Sequence, residues 1–175
     1  MKKTPGLIFL LLVCASVVLA QQSSDWINYS STEGRYAILL PAQPKLSTQE
    51  ASTADGQKFT QYLAAAGDGT GYYMVGYFDH VPGTTFSFER ARDGMVEKVK
   101  GTLLSDKTST LGSYEGRELK VSTKAAETDF IILARLWNTE ERVYVLQYLF
   151  PKSLDSEAND TKAAKYFDSF QVLKN

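Results

Sequence analysis

The sequence predicts a single α+β domain: an α-β-α sandwich around a mostly antiparallel sheet of about six to seven strands. Three observations predict it. Several runs are apolar on alternating or on both faces, as sheet strands are. Two segments repeat their apolar residues every three or four positions, as amphipathic helices do, and the connectors are short enough for hairpins. With 175 residues, 43% of them hydrophobic, the chain has room for one substantial core.

The first twenty residues have the composition of a bacterial-type secretory signal peptide. Lys2 and Lys3 give a positive start, an apolar run follows, and Val18-Leu19-Ala20 offers small residues for cleavage before Gln21. We therefore expect an exported protein, periplasmic or extracellular.

The expected domain organisation is a signal peptide at 1–20 and one domain at 21–175. The apolar run from Leu7 to Ala20 is shorter than the ~20 residues that cross a bilayer, so we expect no membrane span in the mature chain. A lipoprotein anchored through Cys14 is the alternative. It is disfavoured because Val13 stands where a lipobox has Gly, Ala or Ser.

Composition argues against several classes of function. Cys14 is the only cysteine, so a chain cleaved after Ala20 has no disulfide, thiolate nucleophile or thiolate zinc ligand. Without Lys2 and Lys3, the 19 basic residues become 17 against 20 acidic ones, and they are scattered, so we expect no nucleic-acid partner. His80 is the single histidine, so a His-rich metal site is excluded. We expect His80 to be a loop residue at the end of a strand.

The elements before the glycine cluster are predicted in chain order. Residues 21–32 resemble a polar lead-in segment anchored by Trp26. A strand from Arg35 to Leu40 ends at Pro41, which cannot donate to a sheet ladder. Residues 45–56, rich in Ser, Thr, Ala and Gln, predict a loop or an edge excursion.

The next elements flank the glycines. Residues 57–66 (QKFTQYLAAA) and 72–80 (YYMVGYFDH) predict strands, and the second is apolar on both faces, which places it between covering layers or in mid-sheet. From residue 86 to residue 100 the apolar residues recur every three or four positions, and this spacing predicts a helix.

Four strand candidates in succession complete most of the sheet, and their short connectors predict consecutive antiparallel pairing. A second helix at about 157–169 and a short last strand at 171–173 follow. The four candidates are TLLSDKTSTL (102–111), SYEGRELKVS (113–122), TDFIILARLWN (128–138) and RVYVLQYLF (142–150).

The cluster GDGTG at 67–71 suggests a phosphate loop, a calcium loop or a tight turn. A phosphate loop needs Lys and then Ser or Thr after the glycines, and it opens a helix; here the strand residues from Tyr72 onward follow. A calcium loop needs several spaced oxygen ligands, and this stretch offers only Asp68 and Thr70. Glycine adopts positive φ at low cost, so the cluster predicts a hairpin turn.

No acidic residue belongs to a recognised catalytic signature, so we nominate no catalytic, cofactor-binding or metal-binding residue, and no cofactor. The carboxylates in or near the predicted hairpins are typical of solvated charge that protects strand edges. These are Glu115, Glu118, Asp129, Glu140 and Glu141.

Three polar residues fall on otherwise apolar strand faces: Arg117, Arg135 and Gln147. A buried arginine needs a partner and can mark a pocket, but a long side chain also reaches the margin of a sheet. Whether Arg117 or Arg135 belongs to a functional pocket stays open at this point.

Three short motifs accompany this order of elements: Gly34, Tyr36 and Pro41, then Gly116 to Glu118, then Tyr166 to Phe170. Together with the order of elements, they resemble the PsbP-like family, which includes exported bacterial members of the DcrB and LpqN types. The similarity covers residues 31–173. It implies an α-β-α sandwich used as a non-enzymatic binding or assembly module, and it carries over no functional residue.

These observations lead to an expected function: an exported, non-enzymatic binding or accessory protein of the cell envelope, in contact with an envelope protein or a small ligand. One alternative is a small apolar-ligand carrier, with a cavity between sheet and helix lined by Tyr73, Met95 and Trp137. The other is a hydrolase with an unrecognised carboxylate pair.

The signal-peptide assignment predicts the mass of the exported protein. Expressed in a bacterium and recovered from the periplasm or medium, the chain is expected to begin at Gln21, as measured by intact-protein mass spectrometry. A diacylated chain that begins at Cys14 would contradict this prediction.

Overall fold

The computed structural model describes residues 26–53 and 56–174, and the predicted signal peptide, Cys14 and the cleavage site lie outside these ranges. Within these ranges, a helix follows each of two runs of strands. The elements, in chain order, are β1 (Ile27–Ser31), β2 (Tyr36–Leu40), β3 (Lys45–Ser52), β4 (Lys58–Gly67), β5 (Tyr72–Asp79), α1 (Phe88–Lys98), β6 (Thr102–Leu111), β7 (Tyr114–Ala125), β8 (Thr128–Asn138), β9 (Arg142–Pro151), a 3-10 turn (Lys152–Leu154), α2 (Glu157–Asp168) and β10 (Gln171–Val172).

The strands form two antiparallel sheets. The larger has seven strands in the order β3-β4-β5-β9-β8-β7-β6, and the smaller has three in the order β1-β2-β10. Strands β6 to β9 pair consecutively, as their short connectors predict. The pairing of β5 with β9 joins this meander to the β3–β5 meander and puts β9 at the centre of the sheet.

One face of the large sheet, called here the inner face, carries most of the core. Its central residues from β5 and β9 are aromatic or branched and fully buried under the small sheet and α2. The ring of Tyr73 stacks on that of Tyr148 at 4.3 Å, and Trp137 stacks on Phe170, just after α2, at 5.2 Å. Each such aromatic pair adds about 0.5–1.5 kcal/mol to the burial of its area.

The opposite, outer face is covered by α1. Phe88, Ala91 and Met95 recur at the spacing of one helical face and pack on a smaller cluster that contains Leu119 and Leu136. No residue of α1 is fully buried, so this layer covers the sheet less completely than the inner one. The α+β sandwich predicted from the sequence is therefore confirmed, with a second sheet completing its inner layer.

Two segments differ from the sequence prediction. The lead-in segment contains β1, which pairs with β2 over its full length. Residues 45–52 form the edge strand β3, paired with β4 from Lys45 to Ser52. Both strands lie at sheet edges and carry few apolar residues, so their hydrophobic pattern was too weak to indicate a strand.

The GDGTG cluster is the tight hairpin between β4 and β5, as predicted. Gly69 adopts a φ of 81°. The Asp68 carboxylate closes the turn, because its Oδ1 accepts hydrogen bonds from the backbone N–H groups of Thr70 and Gly71, both at 2.8 Å. Gly71 has to be glycine here, since a Cβ would lie 2.6 Å from the Tyr148 ring.

Asp68 also ties this hairpin to α2. Lys162 Nζ on that helix lies 3.1 Å from Asp68 Oδ2, and the Tyr73 hydroxyl donates to the same oxygen. Burial works to raise the pKa of Asp68, but the hydrogen bonds from Thr70, Lys162 and Gly71 outweigh it, and the pKa is lowered overall. The charged form is therefore the one that stabilises the fold.

The lowered pKa of Asp68 gives a pH-dependent contribution to stability. The contribution is complete above the unfolded-state pKa of about 4 and is lost as the pH falls through the lower folded-state pKa. We expect Asp68→Asn to reduce the free energy of unfolding by about 1–2 kcal/mol at pH 7, measured by urea denaturation.

The difference between Asp68→Asn and the parent protein should shrink as the pH falls from about 4 through the lower folded-state pKa of Asp68, where the parent carboxylate takes up a proton. Asp93→Asn is the control, because its side chain is 68% exposed and pairs only with Arg92; we expect a change below about 0.5 kcal/mol. A loss for Asp68→Asn that is equal at pH 7 and pH 3 would contradict the assigned role of its charge.

Candidate functional site

An open groove of about 370 Å³ lies between the small sheet and the β3–β4 end of the large sheet. Its walls come from β1, the β1–β2 turn and β2 on one side and from β3, β4 and β5 on the other. The lining is rich in tyrosine and includes Tyr29, Ser31, Glu33, Tyr36, Leu46, Ser47, Thr48, Tyr62, Leu63, Ala64 and Tyr77. This surface is called the tyrosine groove below.

The tyrosine rings form a graded series from core to solvent. Tyr36 and Tyr77 are nearly fully buried, whereas Tyr62 is 40% exposed. Tyr62 stacks on Tyr77 at 4.9 Å with an interplanar angle of 13°, and Tyr77 contacts Tyr36 edge to face at 6.3 Å. The groove therefore presents the exposed ring of Tyr62, whose orientation is fixed by stacking on a buried ring, beside the partly buried Tyr29.

A buried arginine supports the floor of the groove. The guanidinium of Arg142 lies 4.8 Å from the centre of the Tyr77 ring, on the ring face. Its Nη2 pairs with Asp79 Oδ1 at 2.8 Å, and its Nη1 donates to the backbone carbonyl of Glu33 at 2.8 Å. Arg142 therefore joins the β5–β9 ladder to the turn that forms the rim of the groove.

The tyrosine hydroxyls in this region are held in their neutral form. Burial raises the pKa of Tyr36, and burial raises that of Tyr77 against an opposing effect of the Arg142 charge. Burial also raises the pKa of Tyr144, whose hydroxyl donates to the Gly34 carbonyl at 2.9 Å. These phenols are donors and stacking surfaces, and not nucleophiles at neutral pH.

The groove adjoins an open sheet edge. Strand β3 pairs with β4 on one side, and within the described residues no strand pairs with its other side. Leu46 on this strand lines the groove and is 64% exposed. Unpaired backbone N–H and C=O groups along such an edge can accept a further extended segment.

The two arginines singled out in the sequence lie on opposite faces of the sheet and line neither described pocket. Arg117 is on the outer face, where it pairs with Glu89 on α1 at 3.1 Å. Arg135 is on the inner face and bridges Glu118 on β7 and Asp168 on α2, at 2.8 and 2.7 Å. Both arginines fasten a helix to the sheet at its margin, which is the structural role that long charged side chains commonly have.

The other polar candidates are also dispersed. Glu141 pairs with Arg35, and His80 Nε2 lies 2.9 Å from the carbonyl oxygen of Thr139 in the adjacent loop, as expected for a loop histidine. Gln147 is half-buried in mid-β9. Within residues 26–53 and 56–174, no three His, Cys, Asp or Glu side chains are grouped so as to hold a metal ion.

The cavity suggested for an apolar ligand is not formed by the residues expected to line it. Tyr73 and Trp137 are buried on the inner face, each stacked on another ring. Met95 packs on the outer face, in the cluster with Leu119. The sheet separates these side chains because Met95 belongs to α1 and the two rings point towards α2, so the expectation of one shared cavity was wrong.

Sequence reasoning missed the tyrosine groove and its arginine. Tyr62 belongs to a predicted strand, but its 40% exposure arises because no element among the described residues covers it. Arg142 is the first residue of a predicted strand, and no local pattern singled it out, yet it is only 9% exposed. The sequence did show tyrosines at alternate positions of predicted strands. That pattern is equally typical of a buried core, so it did not indicate a groove.

The motifs behind the family resemblance have structural roles. A Cβ at Gly34 would lie 2.4 Å from the Tyr36 ring, and one at Gly116 would lie 2.4 Å from the Leu136 carbonyl oxygen. Tyr166 is completely buried, and its hydroxyl donates to the Met74 carbonyl at 2.6 Å. Gly34, Gly116 and Tyr166 therefore serve close packing in the core.

Arg142 gives a prediction about the architecture of the groove. We expect Arg142→Met to lower the free energy of unfolding by about 2–3 kcal/mol, because it removes charge-assisted hydrogen bonds to Asp79 and Glu33. Urea denaturation measures this loss. Arg90→Met is the control, because Arg90 is exposed on α1, and we expect less than about 0.5 kcal/mol for it. Equal losses for the two variants would contradict the role given to Arg142.

Among the described residues, no helix is long and apolar enough to cross a membrane. No protein-family model matches the chain, and no curated protein sequence matches it.

Solved structures do resemble it. The solution structure of the cyanobacterial PsbP protein of Synechocystis aligns over 91% of this chain and 98% of that one, with a TM-score of 0.55 and 10% identity. A crystal structure from Bacteroides thetaiotaomicron aligns over 85% of this chain and 48% of its own length, with a TM-score of 0.51 and 14% identity. A Pseudomonas aeruginosa protein of unknown function covers 80% of this chain and 94% of that one, with a TM-score of 0.42 and 9% identity. The similarity to the cyanobacterial PsbP structure shows that the chain has a PsbP-like α+β sandwich fold.

Proposed function

We propose that this protein is an exported, non-enzymatic binding or accessory protein of the cell envelope, and that it binds an extended segment of a partner protein. The observation that carries the proposal is the tyrosine groove beside the open edge of β3. The segment pairs with the backbone of β3 and places apolar side chains in the groove. We propose in addition that the protein belongs to the PsbP-like family.

The geometry supports an extended ligand in particular. Register pairs Leu46 with Ala64 and Thr48 with Tyr62, so all four side chains are on the sheet face that borders the groove. A strand added beside β3 presents every second side chain to this face. Backbone hydrogen bonds then provide affinity, and the groove provides selectivity for apolar or aromatic residues.

The residues that line the groove support binding without covalent chemistry. Glu33 is its one carboxylate, and its other ionisable groups are tyrosines, so it holds no carboxylate pair for hydrolysis. The exposed ring of Tyr62 and the side chain of Leu46 instead offer apolar area next to hydroxyl groups. Aromatic residues in such settings are typical of binding surfaces.

A peptide selection tests the proposal. We expect a library of linear peptides displayed on phage to yield binders with dissociation constants in about the micromolar range. Tyr62→Ala and Leu46→Ser should each weaken the selected peptides about tenfold, because each removes about 1.5 kcal/mol of buried apolar contact. Leu104→Ser is the matched control: Leu104 is 51% exposed on β6, at the other edge of the sheet.

Backbone pairing is tested separately with the strongest peptide. Methylating its amide nitrogens one at a time should abolish binding at alternate positions only, as expected for a strand that pairs along one edge. Binding that survives every methylation, or that Leu104→Ser weakens as much as Tyr62→Ala does, would contradict the proposal.

A further inference from the structure

A second pocket, of about 220 Å³, lies at the opposite end of the large sheet. Thr102 and Ser122 are cross-strand partners on β6 and β7, and Lys124 and Asp129 are partners on β7 and β8. Register places all four on the inner face, beyond the area that α2 covers. The pocket is polar and is lined by Lys100, Thr102, Ser122, Thr123, Lys124, Asp129 and Lys152.

Its three lysines come from separate parts of the chain. Lys100 lies in the turn between α1 and β6, Lys124 near the end of β7, and Lys152 at the start of the 3-10 turn after β9. Folding therefore brings three lysines to the lining of one pocket, although the protein as a whole has a net charge of −1. Such a local reversal of charge attracts an anion.

These charges are largely uncompensated. Within the described ranges, Lys100 and Lys152 form no ion pair, and Lys124 makes one long contact of 3.8 Å with the fully exposed Glu127. Asp129 is the one carboxylate in the lining. By contrast, the neighbouring Lys120 is paired with Asp155 at 2.8 Å.

The position of Lys100 is fixed by its backbone. Its φ is 50°, a left-handed conformation that costs a residue with a Cβ about 1 kcal/mol. Gly101 lets the turn press against β7, since a Cβ there would lie 2.7 Å from the Ser122 carbonyl oxygen. The Thr123 hydroxyl donates to the Val99 carbonyl at 2.6 Å and holds the same turn. Lys100 thus stands on a rigid support at the mouth of the pocket.

We infer that this pocket, called here the lysine pocket, binds a phosphate group, either as free phosphate or as part of a small phosphorylated molecule or lipid headgroup. Lysine binds phosphate through a compact positive charge. The hydroxyls of Thr102 and Ser122 make no hydrogen bond within the described residues and serve as further donors. The volume holds a phosphate group with a short organic part. This site is independent of the tyrosine groove and of the proposed function.

Calorimetric titration with inorganic phosphate, at constant ionic strength set with chloride, tests the lysine pocket. We expect saturable binding that Lys100→Gln and Lys152→Gln each weaken about threefold, as for partly exposed charges, and that the double variant weakens about tenfold. Asp129→Asn should tighten it about threefold, because it removes the one negative charge. Lys58→Gln makes the same change of net charge at the far edge, where Lys58 is 72% exposed, and should have no effect.

Sedimentation with vesicles of phosphatidylglycerol and phosphatidylcholine provides the second arm. If Lys100→Gln and Lys152→Gln reduce vesicle binding and free phosphate does not bind, then the phosphate group that the pocket binds belongs to a lipid headgroup. The inference is overturned if neither phosphate nor vesicles bind. It is also overturned if Lys58→Gln weakens binding as much as Lys100→Gln does, because that result indicates non-specific attraction.

Discussion

The pairing of β5 with β9 is the contact on which the rest of the structure depends. It joins the β3–β5 and β6–β9 meanders through two strands that are separated in the sequence by α1 and three strands. It runs through eight residue pairs from Tyr72–Leu149 to Asp79–Arg142. Its inner face is rich in aromatic residues: the stacked pair Tyr73–Tyr148 lies near one end, and Tyr77–Tyr144 lies on the other side of the central Val75–Leu146 pair. Burying that face requires both the small sheet and α2, so the second layer follows from this one ladder.

The tyrosine groove is formed at one end of the same ladder. Tyr77 and Arg142 belong to the last residue pairs of the ladder. The Arg142 guanidinium pairs with Asp79 on the neighbouring strand and donates to the Glu33 carbonyl in the β1–β2 turn. Within the described residues, the small sheet stops short of β3 and β4, which leaves Tyr62 and Leu46 exposed beside an edge of β3 with which no described strand pairs. The groove lies where the small sheet ends before the large one does, and the buried rings of Tyr36 and Tyr77 belong to its lining.

Most elements could be predicted because their hydrophobic patterns are strong. The helix at Phe88–Lys98 and the strands at Thr102–Leu111 and Thr128–Asn138 lie where period and turn residues indicate them. The GDGTG turn was predictable because a strand follows it and because Asp68 closes it through local hydrogen bonds. The edge strands β1 and β3 were missed, since a half-exposed strand is stabilised by its partner's backbone more than by its own side chains.

The sequence by itself determined the single α+β domain, the hairpin at 67–71 and the two amphipathic helices, because these depend on short-range periodicity and turn chemistry. Only the tertiary structure decided which exposed aromatic residue faces a groove, which arginine is buried and which lysines share a pocket. Arg142, Tyr62 and Lys100 acquire their environments from segments that lie from about twenty to more than a hundred residues away along the chain. Contacts at such distances have no signature in the local pattern, since they depend on how sheet register and layer edges coincide after folding.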